Sequence, residues 1–259
     1  MKWKYQLLWI TMISIWVAAF ALNFPIARIS GPRGIQGIQG EKGETWYNDL
    51  PKLYKQTSPA VVWIGARTVD WVMEHDPNQP PIKWQGSGFL ISEDGLIATA
   101  GHITQDTQVF EVQFQDGSRA IADFVHAEDM DRCDIGFIKL RSNTKRPYLR
   151  IDTEIEIGES LIILGYPWGL NNGIALTQGV VALPNRSEPF FGIELVMQTD
   201  AAAWPGNSGS PVINMNGNVI GIYIGYRIGC DNFSIVTPAK LVEFAMQKAL
   251  AEVGLRGAK

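Results

Sequence analysis

Cysteine is scarce in this chain. Two residues, Cys133 and Cys230, in a length of 259 leave no basis for a small fold stapled by several disulfides, nor for a zinc site of four cysteines or of three cysteines and a histidine. Histidine is nearly as rare. His75, His102 and His126 are the three, and none stands in a His-Glu-x-x-His pair, so the ligand set of a zinc peptidase is missing. Neither sign of charge dominates: 22 Lys+Arg against 26 Asp+Glu give a net charge of −4, and with a pI near 5.4 the chain lacks the basic footprint of a nucleic-acid binder. Charged residues make up 19% and hydrophobic ones 46%, which excludes a disordered chain and supplies apolar side chains for a core. The length suits one all-β domain as well as two smaller domains.

A long run without charge, rich in apolar side chains, opens the chain. From Tyr5 to Ala27 no residue carries a charge, and a helix of that length reaches about 34 Å, enough to span a bilayer. Lys2 and Lys4 precede it, which places the amino terminus on the cytoplasmic side. Two readings stay open: a retained anchor, or a signal peptide cut after the small-x-small triplet Ala19-Phe20-Ala21. Either exports the rest of the chain, to the periplasm or the extracellular space. Glycine then recurs at Gly31, Gly34, Gly37, Gly40 and Gly43. A period of three is what the crowded axis of a collagen-type triple helix demands, although a single proline in the segment leaves an extended spacer as the other reading. Residues 1–28 therefore read as signal anchor or signal peptide, and residues 29–45 as a collagen-like Gly-x-y stalk or linker.

Beyond this, short apolar or alternating runs recur at strand length. They are Val61–Ile64, Gly88–Ile91, Leu96–Thr99, Val109–Phe114, Ala120–Val125, Ile135–Leu140, Leu161–Leu164, Ala175–Val181, Ile193–Gln198, Pro211–Ile213, Val219–Tyr226 and Phe233–Val236. Asp94-Gly95, Asp116-Gly117 and Asn216-Gly217 between them accept the positive φ of tight hairpins. The sequence predicts an all-β body of two sheets or two barrels. After Pro238, Val242, Ala245, Met246, Ala249, Leu250 and Val253 fall at helical spacing, so one carboxy-terminal helix is expected to pack on it.

Three groups can do chemistry. His75, between Glu74 and Asp76, and His126, before Ala127-Glu128-Asp129, read as solvated loop residues. His102 instead ends Thr99-Ala100-Gly101-His102, directly after a strand. Ser208 lies in Gly206-Asn207-Ser208-Gly209-Ser210-Pro211, where flanking glycines permit a tight turn and let a substrate carbonyl approach the amides of Gly206 and Ser208. Asp134 opens the alternating strand Asp134–Leu140. The order His102, Asp134, Ser208 is one of the arrangements that assemble a nucleophilic triad.

With these segments in place, and with Gly86–Ile91, Gly165-Tyr166-Pro167-Trp168-Gly169-Leu170, Gln198–Ala202 and Val219–Ile222, the chain resembles the chymotrypsin-fold serine proteases, most closely the HtrA-like (Deg-type) peptidases, over about Ser58 to Ala245. The resemblance implies a double β-barrel protease domain over residues 46–259, acting on exposed or unfolded protein segments without metal or organic cofactor. It implies Ser208 as nucleophile, His102 as general base and then acid, Asp134 as the group that orients His102, and the Gly206 and Ser208 amides as the oxyanion hole. It further implies a pocket walled by Ala202, Ala203 and Trp204 and by Ile224, Gly225 and Tyr226. No acid lines that pocket, and Ile224 and Tyr226 shorten it, so small aliphatic side chains are expected there.

Family habit and the glycine period together suggest a homotrimer, tethered to a membrane through the amino-terminal helix. The chain departs from the family in three ways: Ser210 replaces a usual glycine, no PDZ domain fits after Pro238, and Asn207 stands where digestive relatives have an aspartate. A non-catalytic binding or structural head on a protease fold stays open as the second reading. A bridge between Cys133 and Cys230 and two separate thiols are likewise both open.

Overall fold

Short β-branched runs between tight turns pair with their neighbours, and a set of such antiparallel strands, tilted and staggered, closes into a barrel. The computed structural model describes residues 49–67, 84–128, 133–142, 144–169, 173–188, 193–227, 229–230 and 232–257. Residues 1–28 and 29–45, the expected anchor and stalk, lie outside the described residues. Among the described residues no helix is long and apolar enough to cross a membrane.

Strands β1 (Val61–Arg67), β2 (Trp84–Leu90), β3 (Leu96–Thr99), β4 (Val109–Phe114), β5 (Arg119–Ala127) and β6 (Gly136–Leu140) form a closed antiparallel barrel in the order β1-β2-β3-β6-β5-β4. Six more, β7 (Ser160–Gly165), β8 (Ala175–Glu188), β9 (Ile193–Thr199), β10 (Pro211–Asn214), β11 (Val219–Tyr226) and β12 (Ser234–Pro238), close a second barrel as β10-β11-β12-β9-β8-β7. Each expected strand is present, and Leu96–Thr99, Val109–Phe114 and Val219–Tyr226 keep their expected bounds. The three hairpin glycines adopt positive φ: Gly95 at 91°, Gly117 at 80° and Gly217 at 84°.

Trp63, Phe89, Phe110 and Phe137, all on strands of the first barrel, are buried in the apolar core at 1% exposure or less, each contributing roughly 1.5–3 kcal/mol by burial. Leu161, Ile163, Val212 and Tyr223 belong to a second apolar cluster. The segment between the barrels docks on β11, where the Val219 amide donates to Arg150 O at 2.7 Å and Val219 O accepts from Asp152 N at 2.9 Å.

Three α-helices, α1 (Leu50–Thr57), α2 (Gly101–Thr104) and α3 (Ala239–Gly257), and a 3-10 turn at Ser58–Ala60 complete the described body. The sequence pattern assigns neither α1 nor α2. α1 has Pro51 near its start and buries only Leu53 and Thr57, one turn apart, too short a stripe to register as a period.

The expected carboxy-terminal helix is α3, and it corrects the reading of His126. That side chain is 18% exposed, with Nδ1 at 2.7 Å from Glu252 Oε1 on α3 and Nε2 at 3.1 Å from Glu128 Oε1. Lys248, also on α3, reaches the same Glu128 oxygen at 2.6 Å. Burial acts to raise the Glu128 carboxyl, but hydrogen bonds from Lys248 and His126 more than offset it and hold the group below its ordinary value of 4.5. A carboxyl held low in the folded state contributes stability above its ordinary value, and that contribution is lost as the pH falls through the lowered one. The protection of α3 against hydrogen exchange should fall in the wild type as the pH drops below that ordinary value of 4.5, and Glu128→Gln should remove much of that pH dependence. An unchanged acid response in Glu128→Gln would show that another carboxyl holds the helix.

Candidate active site

β3 ends at Thr99, Ala100 stays extended with ψ 142°, and the single turn of α2 carries His102 at the barrel's rim. Asp134 sits where the chain enters β6, and its buried carboxylate grips His102 twice. The His102 backbone N–H donates to Oδ1 at 2.7 Å, and ring Nδ1 lies 2.6 Å from Oδ2. A carboxylate only accepts, so Nδ1 carries the proton, and the neutral ring presents Nε2 as an acceptor.

Ser208 comes from the second barrel, on the loop that leads into β10. Two turns shape it. Asn207 N–H returns to Trp204 O at 3.0 Å, with Pro205 and Gly206 between them and Gly206 at φ +98°, the pattern of a type II turn. Ser210 N–H then returns to Asn207 O at 2.8 Å, with Gly209 at φ +89°. A Cβ on Gly209 would stand 2.1 Å from Ser87 O, so only glycine fits where this turn meets the first barrel.

Ser87 of β2 is a fastening that no local sequence signal marks. Its N–H donates to Ser208 O at 2.8 Å, its Oγ donates to Gly206 O at 2.8 Å and accepts from Tyr166 N at 2.9 Å, and its carbonyl accepts from Thr99 Oγ1 at 2.7 Å. The strand pair that ends at His102 is thereby bonded to the turn that carries Ser208. No hydrogen bond joins Ser208 Oγ to His102 Nε2 among the described residues.

The Pro205 carbonyl accepts from Trp168 N at 2.8 Å. Because the N–H and C=O of a trans peptide point in opposite directions, the Gly206 amide faces away from Trp168. Among the described residues neither this amide nor that of Ser208 meets an acceptor. Nearby, burial pushes the Tyr166 phenol up to about 12 and raises that of Tyr223 as well, so both rings stay neutral.

Beside the turn lies a cavity of about 420 Å³ whose walls include Trp168, Ala202, Ala203, Trp204, Tyr226 and Phe233, a size within the range of ligand pockets. Of the expected pocket residues, Ala202, Ala203, Trp204 and Tyr226 are on its wall; Ile224 and Gly225 are not. Ile224 is 7% exposed and packs into the apolar core. Ile222, two residues earlier on β11, belongs to the same core, so alternation turns Ile224 inward with it, while the β11–β12 register shift between Tyr223 and Gly225 re-aims the residues that follow. Cys230 is also on the wall and exposed, while Cys133 is buried, and no disulfide joins the two. Among the described residues no group of three or more His, Cys, Asp or Glu is placed to hold a metal ion.

Two closed six-stranded barrels, with a histidine–aspartate pair at the rim of one and a glycine-bordered serine turn on the other, define the trypsin-like class of folds. Residues 86–222 match the model of the trypsin-like peptidase domain, and the chain belongs to that family. It is 33% identical to serine protease HTRA4 of Mus musculus, over 68% of this chain and 36% of that protein. It is 35% identical to a probable periplasmic serine endoprotease DegP-like of Halomonas elongata, over 76% of this chain and 40% of that one. The matched region thus spans well under half the length of these relatives. The crystal structure of the serine endoprotease from Yersinia pestis is similar with a TM-score of 0.64, covering 78% of this chain and 66% of that chain at 24% identity, a likeness that carries the fold alone.

Proposed function

We propose that this protein is a serine endopeptidase that cuts exposed or unfolded protein segments. The observation that carries the reading is the double grip of Asp134 on His102, which leaves Nε2 as the only basic ring nitrogen. In this mechanism Ser208 Oγ attacks the scissile carbonyl carbon as its proton passes to Nε2, and Asp134 stabilises the resulting imidazolium. The carbonyl oxygen, now negative, is met by the amides of Gly206 and Ser208. Collapse breaks the C–N bond, Nε2 returns the proton to the leaving amine, and water hydrolyses the acyl-Ser208 ester by the reverse proton route. A fluorophosphonate probe should label Ser208 in the folded protein. Absence of labelling would favour the second reading, a binding head on a protease fold.

The same proposal extends to the whole chain. Residues 1–28 anchor it in a membrane or direct its export, residues 29–45 form a Gly-x-y stalk, and residues 46–259 are the protease domain, outside the cytoplasm. Its relatives include a protein described as periplasmic. The assembly is a homotrimer, supported by the period of three in Gly31–Gly43, because three linked heads raise the effective concentration of a short triple helix. Light scattering on a protein beginning at Gly31 should give three times the monomer mass, and a monomer at high micromolar concentration would refute the assembly.

A further inference from the structure

Trp168 occupies a position that its residue type resists. Gly169 N–H returns to Tyr166 O at 3.2 Å, so Pro167 and Trp168 are the central residues of a turn whose second central position requires φ > 0. Trp168 takes φ 59°; the other described non-glycine residues with positive φ are Asp106 and Asn232, the types whose short polar side chains tolerate it. A bulky aromatic held there is an outlier that stability alone does not favour.

Nor does core burial account for it, since Trp168 is 66% exposed. Its indole belongs to the wall of the cavity beside Gly206, together with Trp204 at 44% exposure and Tyr226 at 42%. Three large exposed aromatics thus border one cavity, adjoining the turn of the proposed nucleophile. Ile224, expected to shorten this cavity, is turned into the core, and Ala202 and Ala203 leave it room.

We infer that Trp168 is a specificity-determining residue whose strained turn holds an indole over the cavity, where it grips a large apolar side chain, aromatic or leucine-sized, of the polypeptide substrate. The inference rests on the reading of Ser208 as nucleophile for its place in catalysis. It differs from the small-aliphatic preference expected of a pocket shortened by Ile224. The backbone N–H of Trp168, which holds the Pro205 carbonyl, survives replacement of the side chain, so the indole's contribution is separable from that of the turn.

The test is Trp168→Gly, which relieves the backbone and removes the indole. The melting temperature should stay level or rise. KM for peptides offering Phe or Leu to the cavity should rise roughly tenfold, the scale of one lost aromatic contact, with kcat little changed, and Trp168→Phe should restore most of the affinity. An unchanged KM in Trp168→Gly, or a fall in melting temperature together with kcat, would overturn the inference and make the tryptophan structural. Peptide affinity measured by fluorescence anisotropy on Ser208→Ala, with and without Trp168→Gly, separates the two readings. Tenfold weaker binding there upholds the role of Trp168 even if the wild type neither hydrolyses peptide nor takes the probe, whereas equal binding overturns it even if both occur.

Discussion

Ser208→Ala should lower peptide hydrolysis by about 10^5- to 10^6-fold while leaving the melting temperature nearly unchanged. The size of the effect reflects the work of the hydroxyl. It forms the covalent bond, and no other group at the turn can replace it, since Asn207 and Ser210 are buried at 2% and 0% exposure. The fold should tolerate the change because the contacts that fasten this turn are made by main chain: Ser208 O to Ser87 N, and Gly209 N to Tyr223 O at 2.8 Å. His102→Ala should cost nearly as much, and the double variant little more than either alone, since base and nucleophile act as one unit. Initial rates on an unfolded protein substrate, with thermal melts alongside, measure both. Hydrolysis within tenfold of wild type in Ser208→Ala would remove Ser208 from the mechanism.

The strands are legible in the sequence because their signals are local. Val109–Phe114 and Val219–Tyr226 are β-branched or aromatic runs of strand length, and Asp94-Gly95, Asp116-Gly117 and Asn216-Gly217 mark hairpins through a backbone angle that few residues accept. His102, Asp134 and Ser208 stand out by their flanking sequence and order. The hidden features depend on which parts of the chain meet in space. Ser87 is one serine among many, and its role arises because β2 passes beneath the Ser208 turn. His126 and Glu252 are 126 positions apart, so nothing near His126 announces the carboxylate on α3.

The pocket wall differs for another reason: it is expected from the family resemblance, not from a local pattern. Ile224 lies two residues after Ile222 and shares its apolar cluster, so alternation already turns it inward, and the register shift displaces Gly225 and Tyr226 instead. Trp168 is hidden by its own chemistry. In a Pro-Trp-Gly segment the left-handed conformation is expected of the glycine, yet Trp168 at φ 59° and Gly169 at φ 99° both adopt it.

Asp134→Asn should lower kcat/KM by about 10^4-fold, again without unfolding the protein. The substitution keeps the shape of the side chain. If the asparagine carbonyl remains on the Oδ1 side, it still accepts the His102 backbone N–H that is now bonded at 2.7 Å, and α2 stays in place. On the Oδ2 side, however, an acceptor becomes an NH2 donor 2.6 Å from Nδ1. Two donors cannot share that contact, so the imidazole moves its proton to Nε2 and offers Nδ1 to the amide. The ring then points an N–H toward Ser208 instead of a lone pair, and it can no longer take the hydroxyl proton. Charge is lost as well, and the imidazolium that forms during attack has no anion beside it. Asp134→Ala should be equally inactive and less stable, because the His102 amide would then lack its acceptor within a largely buried turn. Comparing kcat/KM and melting temperature across the three proteins separates tautomer control from simple support. If Asp134→Asn loses less than tenfold in rate, the carboxylate holds α2 in position and does nothing for the base.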